Sequence, residues 1–264
     1  MKTPSNHPRA ESIGIRNRLV EQYNMGVVAQ AGLIAHGRGE AFDYLLGERT
    51  TEPALEAIRA AASTLLTATY PVVSVNGNAA ALAASDIVKL SEITQAQIEV
   101  NLFHRSVQRE RAIENLLKLA GATRILGVGG AASARISEIG SERRRVDPEG
   151  ILKADVILVP LEDGDRAEAL VRMRKKVIAV DLNPMSRTAQ LATITIVDNI
   201  TRAMPTLVRI ADEMRIEEDE KLRETISNFD NKGNLGKAIA MINQRLLKIA
   251  ESGAYISVLE KRKI

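Results

Sequence analysis

Between Pro71 and Val197 the chain repeatedly sets a short apolar run, rich in β-branched residues, beside a longer segment with helical spacing. Apolar runs occupy residues 72–76, 98–103, 124–128, 155–161, 177–182 and 193–197, and helical patterns fall at 79–93 and 106–120. Continuous apolar runs suit strands buried on both faces. Their alternation with helices requires parallel pairing through right-handed crossovers. The pattern predicts an α/β, Rossmann-like, mostly parallel sheet with helices on both faces.

Helical segments flank that core. In residues 9–25, Ile13, Leu19, Val20 and Tyr23 recur at helical spacing with Arg16 among them, and Pro53 opens a helix running to Leu66. After Thr201 the chain is helical to Met214. Residues 217–223 read as a solvated helix face or a hinge. Leu235, Ile239, Ile242, Leu246 and Ile249 then form an apolar stripe, suited to covering the chain's own sheet or a second subunit. The predicted organisation is an N-terminal helical segment (1–70) contributing to the site, a nucleotide-binding core (71–215) and a C-terminal helical extension (216–264).

Composition removes several chemistries. The 264 residues contain no cysteine, so disulfides, thiolate metal sites and cysteine nucleophiles are excluded. Residues 1–10 lack an apolar signal core, and no stretch reaches the roughly 18 apolar residues of a membrane span. A cytoplasmic protein without membrane contact is expected. A net charge of +3, small basic clusters at Arg143-Arg144-Arg145 and Lys261-Arg262-Lys263, and 3% aromatic residues argue against a nucleic-acid partner. The three histidines, His7, His36 and His104, lack the spacing of a zinc site, and no serine-histidine-aspartate order is present.

Charged groups concentrate in two kinds of place. Residues 32–45 hold His36, Arg38, Glu40 and Asp43 between apolar ends, with Gly37 and Gly39 flanking Arg38; this reads as a solvated turn or as backbone closely approaching an anion that the guanidinium grips, phosphate first. The other concentration is at strand ends, where open parallel sheets bind ligands: Asn76 and Asn78, Asn101 and Arg105, residues 162–166, Asp181 and Asn183, Asp198 and Asn199. Gly127-Val128-Gly129-Gly130 meets only a relaxed dinucleotide pattern and reads better as a loop passing close to the ligand. Residues 161–166 offer three carboxylates for Mg²⁺ or a helix cap at Asp165. Residues 181–188 combine an acid and an amide, which suit a ribose, with hydroxyls and Arg187, which suit a phosphate.

Taken together, His7-Pro8-Arg9, residues 32–50, Val75-Asn76-Gly77-Asn78, Glu99-Val100-Asn101-Leu102-Phe103, Val146-Asp147-Pro148-Glu149-Gly150, and residues 161–166, 181–188 and 193–199 resemble the archaeal 4-phosphopantoate–β-alanine ligases, also called phosphopantothenate synthetases. The resemblance runs to about residue 215. It implies a dimeric Rossmann-like enzyme of coenzyme A synthesis that joins 4-phosphopantoate to β-alanine with ATP, releasing AMP and diphosphate. ATP contacts are implied at Arg16, Arg38, Asp181, Leu182, Asn183, Arg187, Thr188, Asn199 and Ile200. An acyl-adenylate route needs charge neutralisation more than a covalent nucleophile. On that basis Arg38 and Arg187 are expected on ATP phosphates, Arg105 with Asn76, Asn78 and Asn101 on phosphopantoate, and Asp163 and Asp165 on Mg²⁺. His36, Glu40 and Asp43 are the candidate bases, with His36 favoured by its ordinary pKa. An ATP-holding regulatory module and a pantoate kinase are the competing readings.

Overall fold

The computed structural model describes residues 7, 9–161 and 164–253. Three helices come first: α1 (Ala10–Asn24), α2 (Gln30–Leu46) and α3 (Glu52–Leu66). Thr51 caps α3 by accepting from the Ala54 N–H, and Pro53 occupies its first turn, where no backbone donor is lost. Next come β1 (Pro71–Val75), α4 (Gly77–Thr94), β2 (Gln97–Val100) and α5 (Val107–Leu119). An irregular stretch follows, with only single-turn 3₁₀ segments and a hairpin of β3 (Ala134–Arg135) and β4 (Arg145–Val146). Regular alternation resumes with β5 (Val156–Pro160), α6 (Gly164–Arg172), β6 (Lys176–Val180), α7 (Arg187–Leu191), β7 (Ile194–Ile196) and α8 (Ile200–Met214). The chain closes with α9 (Asp219–Ser227) and α10 (Asn231–Ser252).

Five strands form one wholly parallel sheet in the order β2-β1-β5-β6-β7. Residues alternate between its faces. Val73, Val75, Leu158, Ile178 and Val180 join a core with α3, α4, α5 and α8, while Val72, Ile157, Val159, Val177 and Ala179 face the other way. That second face is not covered by helices alone. Ile136, Ile139, Val146 and Ile151 of the irregular stretch pack on it beside Leu170 of α6. Leu19, Ile58 and Leu65 share the first core with Leu207, so the N-terminal helices are integral to the packing.

Two expectations need correction. Residues 124–128 are not a strand: Leu126 alone bridges to Glu99, after which Gly127 turns away at φ +75°. A Cβ there would lie 2.5 Å from the Val100 carbonyl oxygen, so the backbone fits against β2 only as glycine. Residues 32–45 are neither turn nor anion loop; they are the interior of α2, which ends at Gly47 in the left-handed region. Within a helix the N–H groups beside Arg38 are bonded along the ladder and cannot cradle a phosphate. Gly32, rather than Gly37 or Gly39, makes the closest approach, since its Cβ would sit 2.2 Å from Asn78 Oδ1.

The apolar stripe of α10 has two roles. Leu235 and Ala238 are buried with Leu46, Leu182 and Val197, whereas Ile239, Leu246 and Leu247 remain exposed. Residues 219–227 form α9, whose Leu222 is buried and whose charged face is solvated. No helix among the described residues is long and apolar enough to cross a membrane.

Candidate active site

In a sheet of this order the chain reverses direction between β1 and β5, leaving a crevice at the strands' carboxyl ends. Asn76 spans that point. It caps α4 by accepting from the Ala79 N–H at 2.9 Å, and its amide donates to the carbonyls of Pro160 and Leu161, both at 2.9 Å. Both of its amide hydrogens and its oxygen are thus engaged in tying the end of β1 to the end of β5 and to α4. Asn78 donates to the Gly32 carbonyl at 2.8 Å and ties α4 to α2.

A cavity of about 310 Å³ occupies this crevice, at the lower end of the range for small-molecule sites. One wall carries His36 and Arg38 from α2, with Leu182, Asn199 and Ile200 from the ends of β6 and β7. The opposite wall carries Phe103, His104, Arg109 and Arg143, and the floor is Asn76, Gly77, Asn78 and Leu161.

The first wall rests on orderly strand-end turns. Asp181 accepts from the Asn183 N–H at 2.9 Å and from the Ser186 hydroxyl. Burial raises its pKa, against the pull of those bonds and of the Arg38 charge. Asn199 caps α8 and donates to Asp43 at 2.8 Å. Arg38 is exposed and makes no hydrogen bond or ion pair with the described residues.

Behind α2 the carboxylates are already engaged. Burial alone would raise the pKa of Glu40, but bidentate Arg16, the Tyr44 hydroxyl at 2.8 Å and the Arg16 charge outweigh it and hold the group below its ordinary value. Asp43 lies against Arg202 at 2.5 Å, and Arg202 also pairs with Asp198 at 2.7 Å. Neither Glu40 nor Asp43 lines the main cavity. His36 does, with its Nε2 buried and lacking a hydrogen-bond partner. Burial, and secondarily the Arg16 charge, lower the His36 pKa against the pull of Glu40 and Asp43.

The second wall is assembled differently. Arg105 was expected to meet substrate, yet its side chain is only 3% exposed and pairs with Glu110 at 2.6 Å. Its remaining donors reach the carbonyls of Gly127, Val100 and Arg145. Asn101 is wholly buried and donates to the carbonyls of Arg143 and Arg145. Both residues stand behind the wall because irregular backbone leaves carbonyls that only side chains can satisfy. The side chains that line the cavity here are Arg109 and Arg143; Arg143 stood in the sequence only within a basic cluster, and nothing marked Arg109.

Glu99 completes this scaffold. It is fully buried and accepts from the N–H groups of Asp147 at 3.1 Å and Ile151 at 2.5 Å. Burial pushes its pKa up to about 7, with Asp147 adding to the rise and the two N–H bonds and Arg166 opposing it. The glycine cluster belongs here too. Gly127 N–H donates to Asp147 and Gly129 N–H to Glu110, so these amides serve the protein's own carboxylates. The loop passes close to β2 and does not line the cavity, contrary to the reading that put it beside a ligand.

The remaining candidates lie apart. Arg187 is exposed and bridges Asp165 and Glu168 at 3.1 and 3.0 Å, outside the cavity. Asn183, Thr188 and Arg16 also lie outside its lining. Asp163, Glu162 and the cluster at residues 261–263 lie outside the described residues.

A parallel sheet with a switch-point cavity lined by Arg38, Arg109 and Arg143 makes this an α/β protein whose crevice is chemically suited to anionic small molecules. The match to known proteins is more specific. Residues 53–245 fit the model of the family described as phosphopantothenate/pantothenate synthetase. The chain is 50% identical over 253 residues to a protein of Thermococcus kodakarensis named 4-phosphopantoate–β-alanine ligase, covering 96% of each chain. Proteins of the same name from Methanosarcina mazei and Methanospirillum hungatei are 51% and 46% identical, covering 96% and 94% of this chain and 98% and 99% of theirs. The chain belongs to the phosphopantothenate/pantothenate synthetase family.

Proposed function

We propose that this protein joins 4-phosphopantoate to β-alanine at the expense of ATP, giving 4'-phosphopantothenate, AMP and diphosphate. The observation that carries this reading is the cavity itself, with Arg38, Arg109 and Arg143 facing one crevice at a parallel sheet's switch point. A carboxylate cannot lose oxide to an amine unaided. Its oxygen attacks the α-phosphorus of ATP, the bond from that phosphorus to the bridging oxygen breaks, and diphosphate leaves. The amine of β-alanine then attacks the acyl carbon, the carbon–oxygen bond to AMP breaks, and the amine's proton passes to a base. Charge stabilisation supplies most of such catalysis, which is what arginines on a low-dielectric wall provide.

ATP is assigned to the first wall. Arg38 has free donors for the phosphates, Asp181 and Asn183 suit the ribose, and Leu182, Asn199 and Ile200 suit the base. Arg187, Thr188 and Arg16 join the nucleotide contacts implied by the family likeness, Arg187 by exchanging its surface carboxylates for phosphate. His36 is the proposed base. Burial lowers its pKa and so favours the neutral imidazole, whereas Glu40 and Asp43 are held by arginines. Asn76 and Asn78 shape the floor, and Asn101 and Arg105 support the wall on which phosphopantoate lies.

Mg²⁺ is expected with the nucleotide, but Asp165 does not fit it: that carboxylate is exposed, held by Arg187 and outside the cavity. No group of three His, Asp or Glu residues among the described ones makes a metal site. A homodimer is part of the proposal, supported by the apolar outer surface of α10 at Ile239, Leu246 and Leu247. A cytoplasmic location is likewise proposed.

The test is a product assay with ATP, Mg²⁺, 4-phosphopantoate and β-alanine. Equimolar AMP and 4'-phosphopantothenate, formed only when both acids are present, are expected. ADP would replace this reading with a kinase, and ATP binding without turnover would replace it with a regulatory module.

A further inference from the structure

Asn199 lines the cavity at the start of α8, yet nearly every polar group it carries is engaged inside the protein. Its side-chain oxygen accepts from the Thr201 N–H at 3.1 Å and from the Thr201 hydroxyl at 3.0 Å. Its backbone carbonyl accepts from the N–H groups of Arg202 and Ala203 at 2.9 and 2.8 Å. Its own N–H donates to Asp198 Oδ1 at 2.7 Å, and its amide nitrogen donates to Asp43 Oδ2 at 2.8 Å. Both oxygens are saturated, and one amide hydrogen remains for a ligand. Toward whatever fills the first wall, Asn199 is a hydrogen-bond donor and nothing else.

The partner of its amide nitrogen, Asp43, stands two turns beyond His36 and one beyond Gly39 on the same side of α2. Its carboxylate also accepts from both terminal nitrogens of Arg202, at 2.5 and 3.1 Å. Arg202 in turn donates to Asp198 from Nε at 3.0 Å and from Nη2 at 2.7 Å, and the other oxygen of Asp198 accepts from the Thr50 hydroxyl at 2.6 Å. Asp43, Asn199, Asp198 and Arg202 thus close a ring that joins α2 to the end of β7 and the start of α8. The ring is buried, with Asp43 and Asn199 5% exposed and Asp198 1%. Burial works against the Arg202 charge, but Asp43 and Asp198 together raise its pKa. Arg202 and Asp198 already form a neutral pair, and a second buried carboxylate adds desolvation without adding a cation. Stability alone is therefore a weak reason for Asp43. Registry is a stronger one, because among the described residues Asp43 makes all the side-chain hydrogen bonds from α2 to the β7–α8 turn.

We propose that Asp43 is a positioning residue for the nucleotide. Without touching ATP, it sets the part of α2 that carries His36 and Gly39 against the β7–α8 turn, and it holds Asn199 so that its one remaining donor meets the nucleotide. The inference rests on the proposed ligase function and on the assignment of ATP to the first wall. It also gives Asp43 a task other than that of a base.

The test measures diphosphate–ATP exchange by wild type, Asp43→Asn and Asp43→Glu, varying ATP and 4-phosphopantoate in turn. Asp43→Asn keeps the size of the side chain but removes the charge that orders Asn199 and Arg202. It should raise the KM for ATP roughly tenfold and leave that for 4-phosphopantoate within about twofold. Asp43→Glu, which restores the charge on a longer arm, should recover part of the loss. A merely structural role would lower the folded fraction, and with it kcat, while both KM values stay unchanged. That result, or equal rises in both constants, overturns the proposal. If Asp43→Asn does not fold, Asp43→Glu decides: a rise confined to the KM for ATP supports the proposal, and an unchanged KM for ATP overturns it. A wild type without exchange refutes the ligase reading instead. Calorimetric titration of wild type and Asp43→Glu with ATP alone then judges the positioning role, weaker binding to the variant supporting it and equal binding, or none by wild type, overturning it.

Discussion

The two walls of the cavity solve the same problem in opposite ways. At the ends of β6 and β7 the backbone is regular and satisfies itself through short turns and helix caps, so none of the described residues there holds Arg38 by a hydrogen bond or ion pair. Beyond β2 the backbone is irregular from residue 120 to residue 154, and Glu99, Asn101, Arg105 and Glu110 are consumed in satisfying it. Irregular backbone uses up polar side chains; regular backbone releases them for ligands. The groups that line the cavity on the second wall are consequently neighbours of the ones that draw attention.

The contrast is broken most directly at Arg105. Arg105→Ala strips the partner from buried Glu110 and three carbonyls, so a stability loss of about 3–5 kcal/mol is expected in urea unfolding. A loss below about 1 kcal/mol would mean that the second wall does not depend on its buried network.

Glu99 sharpens the same point through pH. Its folded pKa of about 7 lies above the 4.5 of an ordinary glutamate. The raised value means that the folded state holds the proton more tightly. Its stabilising contribution is complete below about pH 4.5 and is lost as pH rises through about 7. Unfolding free energy should therefore fall by on the order of 3 kcal/mol across that interval, and Glu99→Gln should flatten this part of the profile. An unchanged slope in the variant would remove Glu99 from the account.

On the first wall the expectation reverses. Arg38→Ala should leave stability within about 0.5 kcal/mol, because the side chain is exposed and makes no hydrogen bond or ion pair with the described residues. It should still lower kcat/KM for ATP about a hundredfold, near 2.7 kcal/mol, in steady-state kinetics. The smallest effect belongs to Arg187, whose exposed pairs with Asp165 and Glu168 should contribute less than about 1 kcal/mol of stability by thermal unfolding of Arg187→Ala.

This division also explains what could be read from residue order. The sheet was legible because strands buried on both faces leave unbroken apolar runs, and strand ends such as Asn76, Asp181 and Asn199 announce themselves by polarity. Residues 124–128 misled because Leu126 and Val128 look like a strand, while the turn at Gly127 is dictated by contact with Val100 and Glu99 far away in sequence. The helical nature of residues 32–45 was obscured by glycines that elsewhere break helices. Arg105 was conspicuous beside Asn101, yet whether an arginine faces a cavity or the carbonyls behind it depends on the path of residues 127–145, which no local pattern specifies.

The most direct test of the two-wall account is a cross-comparison of Arg38→Ala and Arg109→Gln in diphosphate–ATP exchange, varying ATP and 4-phosphopantoate in turn. Arg38→Ala should raise chiefly the KM for ATP and Arg109→Gln chiefly that for 4-phosphopantoate. If each variant raises both constants alike, the two arginines serve one ligand and the division of the cavity is wrong.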